Sequence, residues 1–327
     1  MNTFAGGTLT AAGLVLGLFG AQAIAQSPGT ADDHVAAAKA AAGTEHVARF
    51  QQSCGPAPGP GPALASSAPV VPRAAPERST WYVEPVKVFD NLYFVGEKEY
   101  SAWALTTSQG IILFDTIWEY SVQDSIVGGL KKLGLDPAQV KYAIVTHAHR
   151  DHIGGAKHLQ DTYGTKIVMS AADWDLMDRS PRLPVKPRRD MVISDGEKLT
   201  LGDTTATLYV TPGHTPGTIS SLLPVRDGGR SHLAAEWGGT AYNFELTPAN
   251  FQTYINSAVR FGDIVSKAGA DVLISNHTNS DGSTTKLPAM ARRKAGDPHP
   301  YVIGTDAVRR YVKVVEECAR ANMLRLK

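Results

Sequence analysis

The sequence predicts an α/β fold built as a sandwich of two sheets faced by helices. Two observations carry that reading. Short, β-branched apolar runs alternate with longer segments of helical periodicity, and this succession occurs twice along the chain. A histidine-rich run also falls between a strand and a helix, where α/β folds place functional loops.

In chain order, the first set places strands near 86–89, 92–95, 103–107, 111–115, 141–146 and 166–169, with helices near 121–133 and 154–163. The second set places strands near 205–210, 219–224, 232–235 and 272–275, with helices near 248–267 and 306–323. The last helix carries Val308, Val312, Val315 and Ala319 as an apolar stripe.

Ahead of these elements, an apolar stretch from Leu9 to Ala21 followed by Ala23-Ile-Ala25 reads as an export signal cleaved after Ala25, which predicts a periplasmic protein. No Lys or Arg precedes that stretch, and no Cys follows the cleavage point. Residues 26–80 read as an arm, with a short alanine-rich helix over Ala36–Ala42 and a proline-rich extended linker over Gly55–Pro76. The globular domain then spans 81–327. Cys54 in the arm and Cys318 in the last helix allow one disulfide in an oxidising compartment, or are two unrelated thiols.

With 327 residues, 43% hydrophobic and 19% charged, the chain can bury a substantial core. A formal net charge of +1 gives no long-range attraction for nucleic acid. After signal removal no apolar run is long enough to cross a bilayer.

The chemistry is concentrated in Thr146-His-Ala-His-Arg-Asp-His-Ile-Gly-Gly155. Three imidazoles and a carboxylate within six positions would each need a separate partner if buried, whereas a metal centre satisfies them together. Imidazole and carboxylate without thiolate are the donors of catalytic rather than structural zinc. Asp151 and His152 are adjacent and must diverge, so one ion cannot easily take all four side chains, and two metals are indicated. His214, in the rigid turn Thr211-Pro-Gly-His-Thr-Pro-Gly217, and His277, ending the apolar run after Asp271, are further candidate ligands. His34, His46, His158 and His299 read as ordinary arm, helical or loop residues, and His232 begins the apolar strand Leu233–Ala235, which it could cap.

Taken together, the H-x-H-x-D-H run, the Pro-Gly-His-Thr-Pro-Gly turn and the strand-end histidine resemble the metallo-β-lactamase superfamily over roughly residues 80–325, most closely its subclass B3. The resemblance implies the four-layer αββα sandwich with metals at one edge between the sheets. It implies two Zn(II) per subunit, one on His147, His149 and His214 and the other on Asp151, His152 and His277. Asp115, closing the strand Ile111–Asp115, matches the family's first motif and would orient a ligand histidine. A hydroxide on the metals would attack a carbonyl, with Asp151 orienting it and handling its proton. The expected function is an exported zinc-dependent hydrolase of the β-lactam ring. The alternative is a lactonase, thioesterase or other ester hydrolase of the same superfamily, and in either case the partner is a small-molecule substrate. A noncatalytic exported binding protein is a third possibility.

The chain departs from the pattern at Ala234-Ala-Glu-Trp-Gly-Gly-Thr-Ala-Tyr242, where these β-lactamases carry substrate-binding serines. Glu236 lies near the position of a metal-bridging Asp in glyoxalase II and lactonase relatives. It reads as a group turned away from the metals or as an unusual bridging ligand, the first being favoured. Trp118, Trp237 and Tyr242 are candidates for the walls of an apolar substrate pocket, with plain packing as the other reading.

Overall fold

The structure, a computed structural model, describes residues 1–3, 29–55 and 75–326. The expected signal segment and most of the proline-rich linker lie outside the described residues. Helices α1 (Ala31–Ala42), α2 (Val47–Cys54) and α3 (Arg78–Trp81) come first. The first sheet runs in sequence order through β1 (Val86–Lys87), β2 (Leu92–Phe94), β3 (Trp103–Thr107), β4 (Gly110–Phe114), β5 (Val140–Ile144), β6 (Lys166–Ser170) and β7 (Met191–Ile193). Its first four strands pair antiparallel, and β4 to β7 pair parallel. The connections carry α4 (Gly128–Lys132), which extends a π-helical turn over Gln123–Val127, then α5 (Arg150–Ile153), α6 (Ala156–Tyr163) and α7 (Ala171–Arg179).

The second sheet has the order β12-β11-β10-β9-β8. It is built from β8 (Glu197–Leu201), β9 (Thr204–Val210), β10 (Ile219–Asp227), β11 (Arg230–Trp237) and β12 (Val272–Ser275), covered by α8 (Pro248–Ala268) and α10 (Thr305–Leu324), with α9 (Ser283–Arg292) between.

Strand alternation sorts the core into layers. On β3 and β4, Trp103, Leu105, Ile112 and Phe114 face the second sheet, where they meet Ile219, Ala234 and Ile274. Ala104, Ile111 and Leu113 face outward, onto the helices that carry Ile126, Leu130, Leu159 and Trp174. On β11 and β12, Ala235, Trp237 and Leu273 face Phe251, Phe261, Val308 and Val315 of α8 and α10. Helix, sheet, sheet and helix layers follow, which is the predicted αββα sandwich.

The arm differs from expectation. Residues 31–54 form two helices rather than one short one, and they pack on α10 well ahead of the expected domain start near Trp81. Ala38, Ala42, Cys54, Val314 and Cys318 share one buried cluster, and Cys54 and Cys318 form a disulfide. Helices α7 and α9 and strands β7 and β8 were not anticipated from the pattern.

Candidate metal centre

The parallel strands β4 and β5 end at the same edge, so Asp115 and the Thr146–His152 loop emerge side by side. The second sheet delivers its loops to the same place. Ile219, opening β10, donates its N–H to Thr146 O at 2.8 Å, and Ser101 donates to Asn276 O at 2.9 Å. Close backbone approach depends on Gly155, where a Cβ would stand 2.3 Å from Thr116 O. Gly213 does the same for the second loop, since its φ of 147° and the face of Tyr254 exclude a side chain.

Two groups of donors result. His147, His149 and His214 form one; Asp151, His152 and His277 form the other. His214 Nε2 lies 3.0 Å from His147 Nε2 and 3.1 Å from His149 Nδ1. In the second group His152 Nε2 lies 3.2 Å from His277 Nε2 and 3.3 Å from Asp151 Oδ2. The groups adjoin, with the His147 and His152 ring centroids 4.1 Å apart. Two nitrogens that each sit about 2.0–2.1 Å from one tetrahedral zinc are about 3.4 Å apart, so these separations fit the ion.

Hydrogen bonding on the far side of each ring decides which nitrogen is bare. His214 Nδ1–H donates to Ala241 O at 2.7 Å, which leaves Nε2 as a lone pair. The Thr146 hydroxyl donates to Asp115 Oδ2 at 2.9 Å, so it accepts from His147 Nδ1 at 3.0 Å, and His147 Nε2 is also bare. His152 Nδ1 donates to Asp115 Oδ2 at 2.6 Å. Bare nitrogens that face one another cannot bond to each other. A cation between them is the arrangement their chemistry calls for.

The electrostatics agree. Burial, reinforced by neighbouring imidazoles, pushes His147 well down, while burial takes His149 and His277 to about 3 and His214 to about 4. These four rings are therefore neutral, the form that ligates metal. For His152 burial works in the same direction, but Asp151 and Asp115 outweigh it and raise the ring to about 10. Burial would raise Asp151, yet His152 and the neighbouring histidines hold it far below the usual carboxylate range. The residues thus fit two divalent ions, with the second replacing the proton that His152 otherwise holds.

Asp115 reaches this position through a left-handed backbone, φ 59°, rare for a residue with a Cβ and costing on the order of 1–3 kcal/mol. Its carboxylate also accepts from Thr146 N at 2.7 Å. Two further residues hold the loops and carry no sequence signal. Asp173, on α7, accepts from Ala148 N and the Thr215 hydroxyl at 2.8 Å and from Gly217 N at 2.7 Å, so one carboxylate clamps the loops that carry His147, His149 and His214. Asn276 donates to Thr146 Oγ1 at 3.1 Å and Gly238 O at 2.8 Å.

Glu236 joins neither donor group. It faces the space between the sheets opposite Ser221, fully buried, with both carboxyl oxygens lacking a hydrogen-bond partner, and burial with Asp115 nearby raises its pKa well above the ordinary value. Trp237 and Tyr242 require a correction as pocket walls. Alternation on β11 turns Trp237 onto the face covered by α8, where it packs on Tyr254 and Phe261, and Tyr242 packs on Phe251 and Tyr254. Trp118 does line a cavity of about 390 Å³, with Trp81, Glu97, Tyr100 and Tyr120 among the other walls. Tyr100 connects that cavity to the centre, its ring centroid lying 5.3 Å from that of His277.

Comparison with known proteins agrees with this geometry. Residues 95–227 match the family model described as the metallo-β-lactamase superfamily. Among solved structures, BJP-1, a subclass B3 metallo-β-lactamase of Bradyrhizobium japonicum, is 27% identical, with 73% of this chain and 94% of that one covered and a TM-score of 0.61. Curated relatives include a hydroxyacylglutathione hydrolase of Acidiphilium cryptum (strain JF-5), 31% identical over 36% of this chain and 45% of its own length. An N-acyl homoserine lactonase of a Bacillus species is 30% identical over 38% of this chain and 48% of its own. The chain thus spans about half the length of the curated relatives it matches. The sandwich and these likenesses together show that the chain has the metallo-β-lactamase fold, with the superfamily match lying over residues 95–227.

Proposed function

We propose that this protein is an exported, di-zinc hydrolase that opens the β-lactam ring. The observation that carries the reading is the convergence of five imidazoles and one carboxylate into two adjoining groups at an open edge. The 27% identical subclass B3 structure favours a lactam substrate. Bound zinc supplies Lewis acidity toward the carbonyl and ionises water near neutral pH.

The chain's own residues do the rest. Thr146, Asp115 and Ala241 fix the ring tautomers so that lone pairs face inward. Asp151, whose side chain keeps 21% exposure at the mouth of the site, orients the attacking water and accepts its proton. As the water oxygen bonds to the carbonyl carbon, the C–N bond breaks and that proton passes to the departing nitrogen. The cavity beside Trp118 and Tyr100 receives a substrate substituent.

A second reading, hydrolysis of a lactone or thioester, draws on the lactonase and hydroxyacylglutathione hydrolase relatives and on the absence of serines from Ala234–Tyr242. Rates on a penicillin, a carbapenem and an acyl-homoserine lactone separate the two. Lactam turnover that disappears in His147→Ala is the expected result, and lactone turnover alone selects the second. Export is supported by the Ala23-Ile-Ala25 pattern and by the Cys54–Cys318 disulfide, which suits an oxidising compartment. Amino-terminal sequencing of the periplasmic protein should begin at Gln26.

A further inference from the structure

Helix α2 sends side chains to the two backbone segments behind the centre, at Thr240 and at Ser280. Arg49 is 1% exposed, and among the described residues no carboxylate pairs with it. Its Nη1 donates to Thr240 O at 2.7 Å and to Gln52 Oε1 at 3.2 Å, while Nε and Nη2 have no hydrogen-bond partner and the guanidinium lies 5.8 Å over the Tyr311 ring. A buried guanidinium without a counter-charge is costly to the fold. Its strong bond goes to the residue next to Ala241, whose carbonyl holds His214 Nδ1. Gln52, one helical turn on, accepts from the Ser280 hydroxyl at 3.2 Å, and Ser280 N in turn donates to His277 O at 3.0 Å.

The helix is itself fixed from the other side. Asn322 donates to Ser53 O at 2.9 Å, Arg325 donates to Cys54 O at 3.0 Å, and the disulfide joins Cys54 to α10. Both segments that arrive late in the sequence, 240–241 and 277–280, therefore rest on one short helix from the amino-terminal arm.

We propose that α2 is a positioning element of the metal centre, with Arg49 holding the carbonyl segment that orients His214 and Gln52 holding the loop that carries His277. The inference rests on the two-metal reading. It assigns the arm a role in metal retention as well as packing.

The test uses full-length, disulfide-intact protein stripped of metal. Zinc affinity is read by competition with a chromophoric chelator, and unfolding is followed separately in excess chelator, for the parent, Arg49→Met and Gln52→Leu. Arg49→Met should weaken zinc binding by about 10- to 100-fold, the usual effect of removing a ligand's support, while metal-free stability holds or rises because a buried unpaired charge is gone. Gln52→Leu should weaken one equivalent more than the other. Should Arg49→Met fail to fold, Gln52→Leu decides alone. Parental zinc affinity in the folded variants would overturn the proposal, as would lost stability with unchanged affinity. A parent that binds no zinc would instead overturn the two-metal reading.

Discussion

The disulfide offers a perturbation whose size follows from the structure. Cys54 and Cys318 are separated by 264 residues, so the bond closes nearly the whole chain into a loop. In the chain-entropy treatment a loop of that length restricts the unfolded state by about 5.6 kcal/mol, just above the upper end of what native disulfides deliver. Alanine is the right replacement at both ends, because the sulfurs sit in a cluster of Ala38, Ala42 and Val314 where a serine hydroxyl would be buried without a partner. The Cys54→Ala/Cys318→Ala protein, unfolded in guanidinium and followed by circular dichroism, should lose about 3–5 kcal/mol relative to the oxidised parent. The parent treated with reductant should fall to a similar value. A loss under about 1 kcal/mol would refute the reasoning and show that the arm is held by its other contacts.

Four more outcomes follow from the site and its surroundings. Asp173→Asn leaves one of three loop donors facing an amide, so zinc affinity in a chelator competition should fall about 10- to 100-fold, and unchanged affinity would remove Asp173 from the support of the loops. Glu236→Met replaces a buried acid that has no partner, so unfolding free energy should hold or rise by about 1–3 kcal/mol with zinc stoichiometry intact; loss of one zinc would make Glu236 a ligand after all. His46, whose ring accepts no proton readily because burial takes it from 6.5 to about 4, contributes stability that is present above pH 6.5 and lost as pH falls toward 4. The parent's unfolding free energy measured against His46→Gln should therefore shrink over that interval, by on the order of 3 kcal/mol, and a flat difference would contradict the burial argument. Trp118→Ala opens one wall of the cavity and should raise KM more than it lowers kcat in steady-state hydrolysis; an unchanged KM would take the substrate out of that cavity.

The amino-acid sequence disclosed the parts of this protein that depend on local pattern. His147 to His152 lie within one six-residue run, and His214 and His277 each follow an apolar strand, so spacing and strand context named all six donors that the structure brings together. Strands buried on both faces, such as β4 and β12, read from their apolar runs. What stayed hidden depends on contacts between remote segments. Asp173 follows an ordinary helix cap and acts through backbone amides 25 and 44 positions away. Arg49 reads as an arm residue because nothing local marks it as buried beneath Thr240. Trp237 was a pocket candidate because its class of residue often lines pockets, whereas the parity of β11 decides which face it takes. Strand β7 is three residues long and leaves Val192 exposed, and β8 offers only Leu199 and Leu201 to the core, too few positions to mark a period.

The pairing of two cations with six side chains is tested most directly by counting metal. Metal-free protein titrated with zinc should bind two equivalents per chain, His214→Ala should lose the equivalent shared with His147 and His149, and His277→Ala should lose the other. A parent that retains less than one equivalent, or two-zinc binding that survives both substitutions, would contradict it.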